Sequence, residues 1–157
     1  MRMMGLAVAV ALSVIAARAP LESTPPACKL LSAQEASKLM GVPVAVNADD
    51  MARGDFNCRY NPSPTSFNGV EITYRSFSDG QAAHAFFPRW VIPVPPKPAD
   101  MILIQVQGVG DEATITHGKI ANSIHFRRGA VLVKMGTVPG ASDTALVIAG
   151  KTMAGRL

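Results

Sequence analysis

The chain is poor in the features that usually disclose a function. It holds two cysteines among 157 residues, one adjacent basic pair (Arg127-Arg128), no G-x-S-x-G string, and no apolar run of membrane-spanning length. Two cysteines without a neighbouring histidine supply half of the four ligands a structural zinc needs. Scattered Lys and Arg form no stripe that could follow a phosphate backbone, which excludes nucleic acid as a partner. The longest apolar stretch, Gly5 to Ala17, is shorter than the ~18 to 20 residues that span hydrocarbon. The 13 Gly and 12 Pro follow no short period, which removes collagen-like and coiled-coil architectures. Apolar side chains are not lacking: at 48% of the residues they can offset the ordering entropy of a core, and the length fits one domain.

The mean hydropathy of +0.22 owes much to the N-terminus. Met1-Arg2-Met3-Met4, the apolar run, and Ala17-Arg18-Ala19 form a secretory signal pattern over residues 1–19. Pro20 disfavours cleavage after Ala19, so sites near Ala16 or Ala17 stay open. Cleavage that removes Arg2 and Arg18 leaves 13 basic residues against 11 acidic ones, and the formal net charge of +4 falls to +2. Such a balance allows a mild preference for an acidic partner. In the oxidising compartment that export implies, Cys28 and Cys58 are expected to bridge, stabilising the fold by roughly 3 to 4 kcal/mol. Pro25-Pro26-Ala27 before Cys28 does not match a lipidation site, so no stable membrane anchor is expected after cleavage.

Residues 20–27 (PLESTPPA) read as an extended linker. Ser32 with Glu35 is a capping box, and Gly41 ends the helix it opens. Val42 to Val46 reads as a brief edge strand and Asn47 to Asp55 as a loop. Phe56, Cys58 and Tyr60 alternate as a strand, as do Val70, Ile72 and Tyr74. Ala82, Ala83, Phe86, Phe87 and Trp90 recur at helical spacing behind Ser78 or Asp79, with Pro88 expected to end or kink the helix at Phe87. Val91 to Pro98 (VIPVPPKP) is polyproline-like, a stiff spacer. Strands follow at Met101 to Val106, Glu112 to Thr116, Ile120 to Arg127 and Ala130 to Thr137, the last two a hairpin about Arg128-Gly129. A helix behind Ser142 or Asp143 closes the chain. Strands followed by a helix recur in each half, which hints at two related halves.

Chemistry is sparsely signalled. His84, His117 and His125 have no partner at helical ligand spacing, so no metal or other cofactor is expected. Gly108-Val109-Gly110-Asp111-Glu112-Ala113 is the most distinctive string, but acids stand where a phosphate would bind and a strand follows, so the glycines read as turn formers and the acids as partners of nearby bases.

Cys28-Lys29-Leu30-Leu31-Ser32 running into a helix, Cys58-Arg59-Tyr60 on a strand, and the GVGDEA string before a strand pair and a C-terminal helix resemble a family of small exported bacterial proteins of unknown function, many of them lipoproteins. The resemblance covers residues 28–157. It implies a single α+β domain with an antiparallel sheet covered by two or three helices and a Cys28–Cys58 bridge, and it supplies no catalytic residues. The lipobox cysteine of the lipoprotein members is lacking.

The function expected is a monomeric binding or interaction domain of the cell envelope, periplasmic or secreted, that engages a protein or small ligand and is not an enzyme. The contact surface expected is the sheet face or the loops at Asn47 to Asp55 and Gly108 to Asp111, with Phe86 and Trp90 on the amphipathic helix and Gly108, Gly110, Asp111 and Glu112 in the glycine string as candidate contact residues. An inhibitor of a secreted protease or cell-wall hydrolase, docking through Val91 to Pro98, is the alternative. A hydrolase with an unrecognised site is the second alternative.

Overall fold

The computed structural model describes residues 26–52, 55–93 and 97–157. The signal pattern of residues 1–19, the linker up to residue 25, and the centre of the polyproline-like segment lie outside the described residues.

The chain runs α1 (Pro26–Leu30), α2 (Ala33–Met40), β1 (Ala45–Ala52), β2 (Asp55–Asn61), β3 (Gly69–Ser76), α3 (Gly80–Val91), β4 (Ile102–Val106), β5 (Glu112–His117), β6 (Asn122–Arg128), β7 (Val131–Val138) and α4 (Asp143–Ala154). The strands make one antiparallel sheet in the order β1-β2-β3-β7-β6-β5-β4. It is an α+β fold with four helices and one disulfide, Cys28–Cys58. A meander of three strands ending in α3 and a meander of four ending in α4 meet at the β3–β7 pair in the middle of the sheet.

Strand alternation assigns the two faces. On one, Cys58, Tyr60, Val70, Ile72, Ile115, Ile124, Phe126, Val133 and Met135 form the main core with α1, α2 and α4, through residues such as Ala27, Leu31, Ala36, Leu146 and Met153. Each large side chain buried there contributes on the order of 2 kcal/mol. On the opposite face, Ala83, Phe87 and Val91 of α3 pack on Leu132, a smaller core that covers only part of the sheet. The remainder of that face stays open, which positions the candidate site.

Several elements depart from the sequence reading. Pro26 and Ala27 are helix rather than linker: proline suits a first helical position, and burial of Ala27, Leu30 and Leu31 holds a helix too short to persist alone. Asn47 to Ala52 is strand rather than loop, because an edge strand needs only main-chain pairing, here from Ala45 opposite Asn61 to Asp49 opposite Asn57, with an irregularity before Ala52. The α3 helix continues through Pro88 to Val91, so of an end or a kink at Phe87 the end does not occur. Pro88 removes the amide donor for the His84 carbonyl, and His84, Ala85, Pro88 and Arg89 form an exposed side of the helix, where that loss costs least. Asp79 and Ser142 are the caps of α3 and α4.

The capping box is present and carries a second task. Glu35 closes on the Ser32 amide at 2.8 Å and also takes a two-pronged ion pair from Arg156, at 2.7 and 2.8 Å. The Arg156 hydrogen bond, more than the cap, holds the Glu35 carboxyl down to about 2. Arg156 also donates to the Leu30 carbonyl, so the C-terminus is tied to the α1–α2 corner. Nearby, the buried Tyr60 hydroxyl donates to the Leu31 carbonyl.

Candidate ligand-binding trough

The partly covered face carries a polar row that crosses the sheet. Asn57 stands opposite Thr73, Thr73 opposite Lys134, Lys134 opposite His125, His125 opposite Thr114, and Thr114 opposite Gln105. Period two puts all six on the face opposite the main core. The His125 end lies under α3, and the Thr73 and Lys134 end is open.

Beneath α3, His125 is 2% exposed. Its Nε2 shares a 3.3 Å hydrogen bond with the Thr116 hydroxyl, and Nδ1 has no partner. Burial, then the charge of Lys134, pushes the imidazole down to about 3, although the Trp90 backbone nearby pulls the other way without closing a hydrogen bond on Nδ1. The native protein thus keeps this ring neutral while the unfolded chain protonates it below about 6.5. Stability is complete above that value and falls as the pH drops from about 6.5 towards 3, by roughly 2 kcal/mol between pH 7 and pH 5. Urea unfolding at the two pH values is expected to show this loss in the wild type and a much smaller one in His125→Gln. Equal losses would assign the pH dependence to other groups.

The open part forms a trough in two connected lobes that share Thr73 and Lys134. The larger, about 400 Å³, is floored by Arg59, Glu71, Ser123, Lys134 and Gly136, with Phe67 at its outer end. The second, about 380 Å³, runs to the α3 wall, where Phe86, Arg89 and Trp90 stand over Asp55 and Arg75. Gly136 lies mid-strand in β7, opposite Glu71 on one side and Ser123 on the other, and its missing side chain leaves the floor hollow. A glycine inside a strand weakens it and often marks close approach by another group. An added Cβ would meet only the Ser123 hydroxyl, at 3.1 Å.

Charge in the trough is unevenly paired. Arg59 meets Glu71 at 3.0 Å. Arg75 donates from Nε and Nη2, one edge of its guanidinium, to the two carboxylate oxygens of Asp55 and stacks on the rings of Phe86 and Trp90, 5.1 and 5.2 Å from their centroids. Lys134 and Arg89, both exposed, make no salt bridge among the described residues. Trp90 Nε1 and Asn57 Oδ1 are buried without hydrogen-bond partners among the described residues.

The residues singled out from the sequence are divided between two places. Phe86 and Trp90 wall the trough. Gly108, Gly110, Asp111 and Glu112 lie at the β4–β5 turn, on the other side of α3. Gly108 and Gly110 have φ of +75° and +58° and flank Val109, which is buried under α4 against the helical Gly150. Asp111 accepts from Arg127 and from the Gly129 amide, both at 2.8 Å. Glu112 pairs with Arg127 at 2.5 Å and with His84 Nδ1 at 2.8 Å. These acids clamp the β6–β7 turn and the start of α3 to the glycine turn. Gly108, Gly110 and Asp111 also border a shallow depression with Lys151 and Arg128.

Lys134, Gly136, Thr73, Ser123 and Arg75 were not singled out. Their signal was the polar alternation within β3, β6 and β7, which reads as an ordinary solvated face until the central position of those strands is known. Both cysteines are in the bridge, and no group of three or more His, Cys, Asp or Glu that could hold a metal occurs among the described residues. No family model matches the chain, and no curated protein matches it.

Proposed function

We propose that this is an exported binding domain that holds a polar ligand in the trough over β2, β3 and β7. Support for a compartment outside the cytoplasm comes from the Cys28–Cys58 bridge, which persists under oxidising conditions, together with the signal pattern of residues 1–19. Among the described residues no helix is long and apolar enough to cross a membrane. The observation that carries the binding reading is the hollow at Gly136, in the middle of the sheet and beside Lys134, which has no ion-pair partner among the described residues, with the aromatic wall of α3 at its edge. A central strand gains nothing structurally from glycine there, whereas a ligand gains access to the floor.

Titration of the bridged protein with glucuronate, glucose, N-acetylglutamate and inorganic phosphate, followed by amide NMR shifts, tests this. Shifts are expected to concentrate at Thr73, Ser123, Lys134 and Gly136. Gly136→Val fills the hollow with a residue that suits a strand, so the fold is expected to persist with an equal or higher melting temperature while binding weakens at least about tenfold. Shifts that gather elsewhere, or binding untouched by Gly136→Val, would remove the trough as the site.

A further inference from the structure

We infer that the ligand of the trough is an acidic oligosaccharide, an extended chain of sugar rings carrying carboxylates. This rests on the trough being the binding site. The four cationic side chains lining it face two carboxylates, Glu71 and Asp55, each already held by an arginine. Lys134 in the floor and Arg89 on the wall remain to receive negative charge, and they come from different elements, β7 and α3. Separate cations along a groove match carboxylates spaced along a chain.

Aromatic rings stand at both ends. Trp90 and Phe86 form the α3 wall, and Phe67, in the β2–β3 connection, is 98% exposed. A fully exposed phenylalanine on a hydrophilic rim gains nothing from folding, but it offers a flat face to the C–H side of a sugar ring. The hydroxyls at the edges of such a ring meet Ser123, Thr73 and Asn61. From Gly69 to Arg75 the floor follows β3 for six residue steps, about 20 Å. That length accommodates several rings rather than one.

Two other anionic occupants fit less well. The strands forming the floor pair on both sides, so a peptide finds no free main-chain edge to extend. A phosphate group favours convergent amides at a helix N-terminus, and α3 presents its C-terminal half to the trough, the end where carbonyls accumulate.

Calorimetry and amide NMR on the bridged protein with two acidic tetrasaccharides, tetragalacturonate and a hyaluronan tetrasaccharide, decide the matter against maltotetraose, hexaglutamate and inorganic phosphate. At least one acidic tetrasaccharide is expected to bind in the trough tenfold or more tightly than each of the three controls, about ten to one in Kd. Binding should weaken with salt and fall about fivefold in each of Lys134→Met, Arg89→Met and Phe67→Ser, with melting temperatures unchanged. Equal binding of maltotetraose, or tighter trough binding of hexaglutamate or phosphate, would overturn the acidic oligosaccharide as the ligand while leaving the trough in place. Shifts confined to other surfaces, or no binding by any probe, would overturn both.

Discussion

Replacing Cys28 and Cys58 together by alanine is expected to cost about 3 to 4 kcal/mol and to lower the melting temperature by on the order of 10 °C. The bridge joins α1 to β2 across a sequence separation of 30, and constraining a loop of that size in the unfolded chain accounts for most of the effect. Local geometry adds to it. The five-residue α1 has too few turns to persist without an anchor, yet it supplies Ala27 and Leu30 to the main core. Untethered, it also loosens the carbonyl of Leu31 from the Tyr60 hydroxyl. Differential scanning calorimetry of the oxidised wild type and the double variant measures the loss. A difference below about 3 °C would show that α1 docks by packing alone.

The second large effect is expected at Gly110. Its φ of +58° is strained for any residue with a side chain, and a Cβ there would stand 2.2 Å from the carbonyl oxygen of Arg127. That oxygen already accepts from the Asp111 amide at 2.8 Å, so neither partner can retreat without breaking the turn from β6. Gly110→Ala should therefore destabilise by on the order of 3 kcal/mol or more. Gly108 is the control. Its φ is +75°, but an added Cβ would meet only the flexible end of Lys151 at 3.7 Å, so Gly108→Ala should cost about 1 kcal/mol. Chemical unfolding of the two variants distinguishes the cases. Equal losses would mean that conformational strain, not the clash with β6, governs the turn.

These two glycines show how far local reading extends. The GVGDEA string pointed to a turn with acids engaged by neighbouring bases, and it forms one. Nothing in the string indicated that Val109 plugs the core beneath Gly150, or that Arg127 is the shared base. The same holds at the N-terminus: Ser32 and Glu35 announced a cap, but Arg156, 121 residues from Glu35, is what pulls its carboxyl furthest down. Pro88 does not end α3, because the turn it interrupts is exposed at His84, Ala85, Pro88 and Arg89. Asn47 to Ala52 misled because polar residues suit loops, while an edge strand tolerates them.

What was legible in the residues themselves are the effects that act over a few positions. Period-two and helical spacings established most strands and both longer helices, Ser32 and Gly41 bounded α2, and the paired cysteines marked the bridge. The candidate site needed distance along the chain to be folded away. Thr73, Ser123, Lys134 and Gly136 sit on three strands whose adjacency follows from the β3–β7 pairing, and whether their common face is covered depends on where α3 lands. Its apolar stripe finds Leu132, meets β3 only at Arg75, and leaves the rest of β2 and β3 uncovered. Hydrophobic periodicity states which side of an element seeks cover, but only the assembled packing decides how much of the opposite face is left open, and that remainder is the trough.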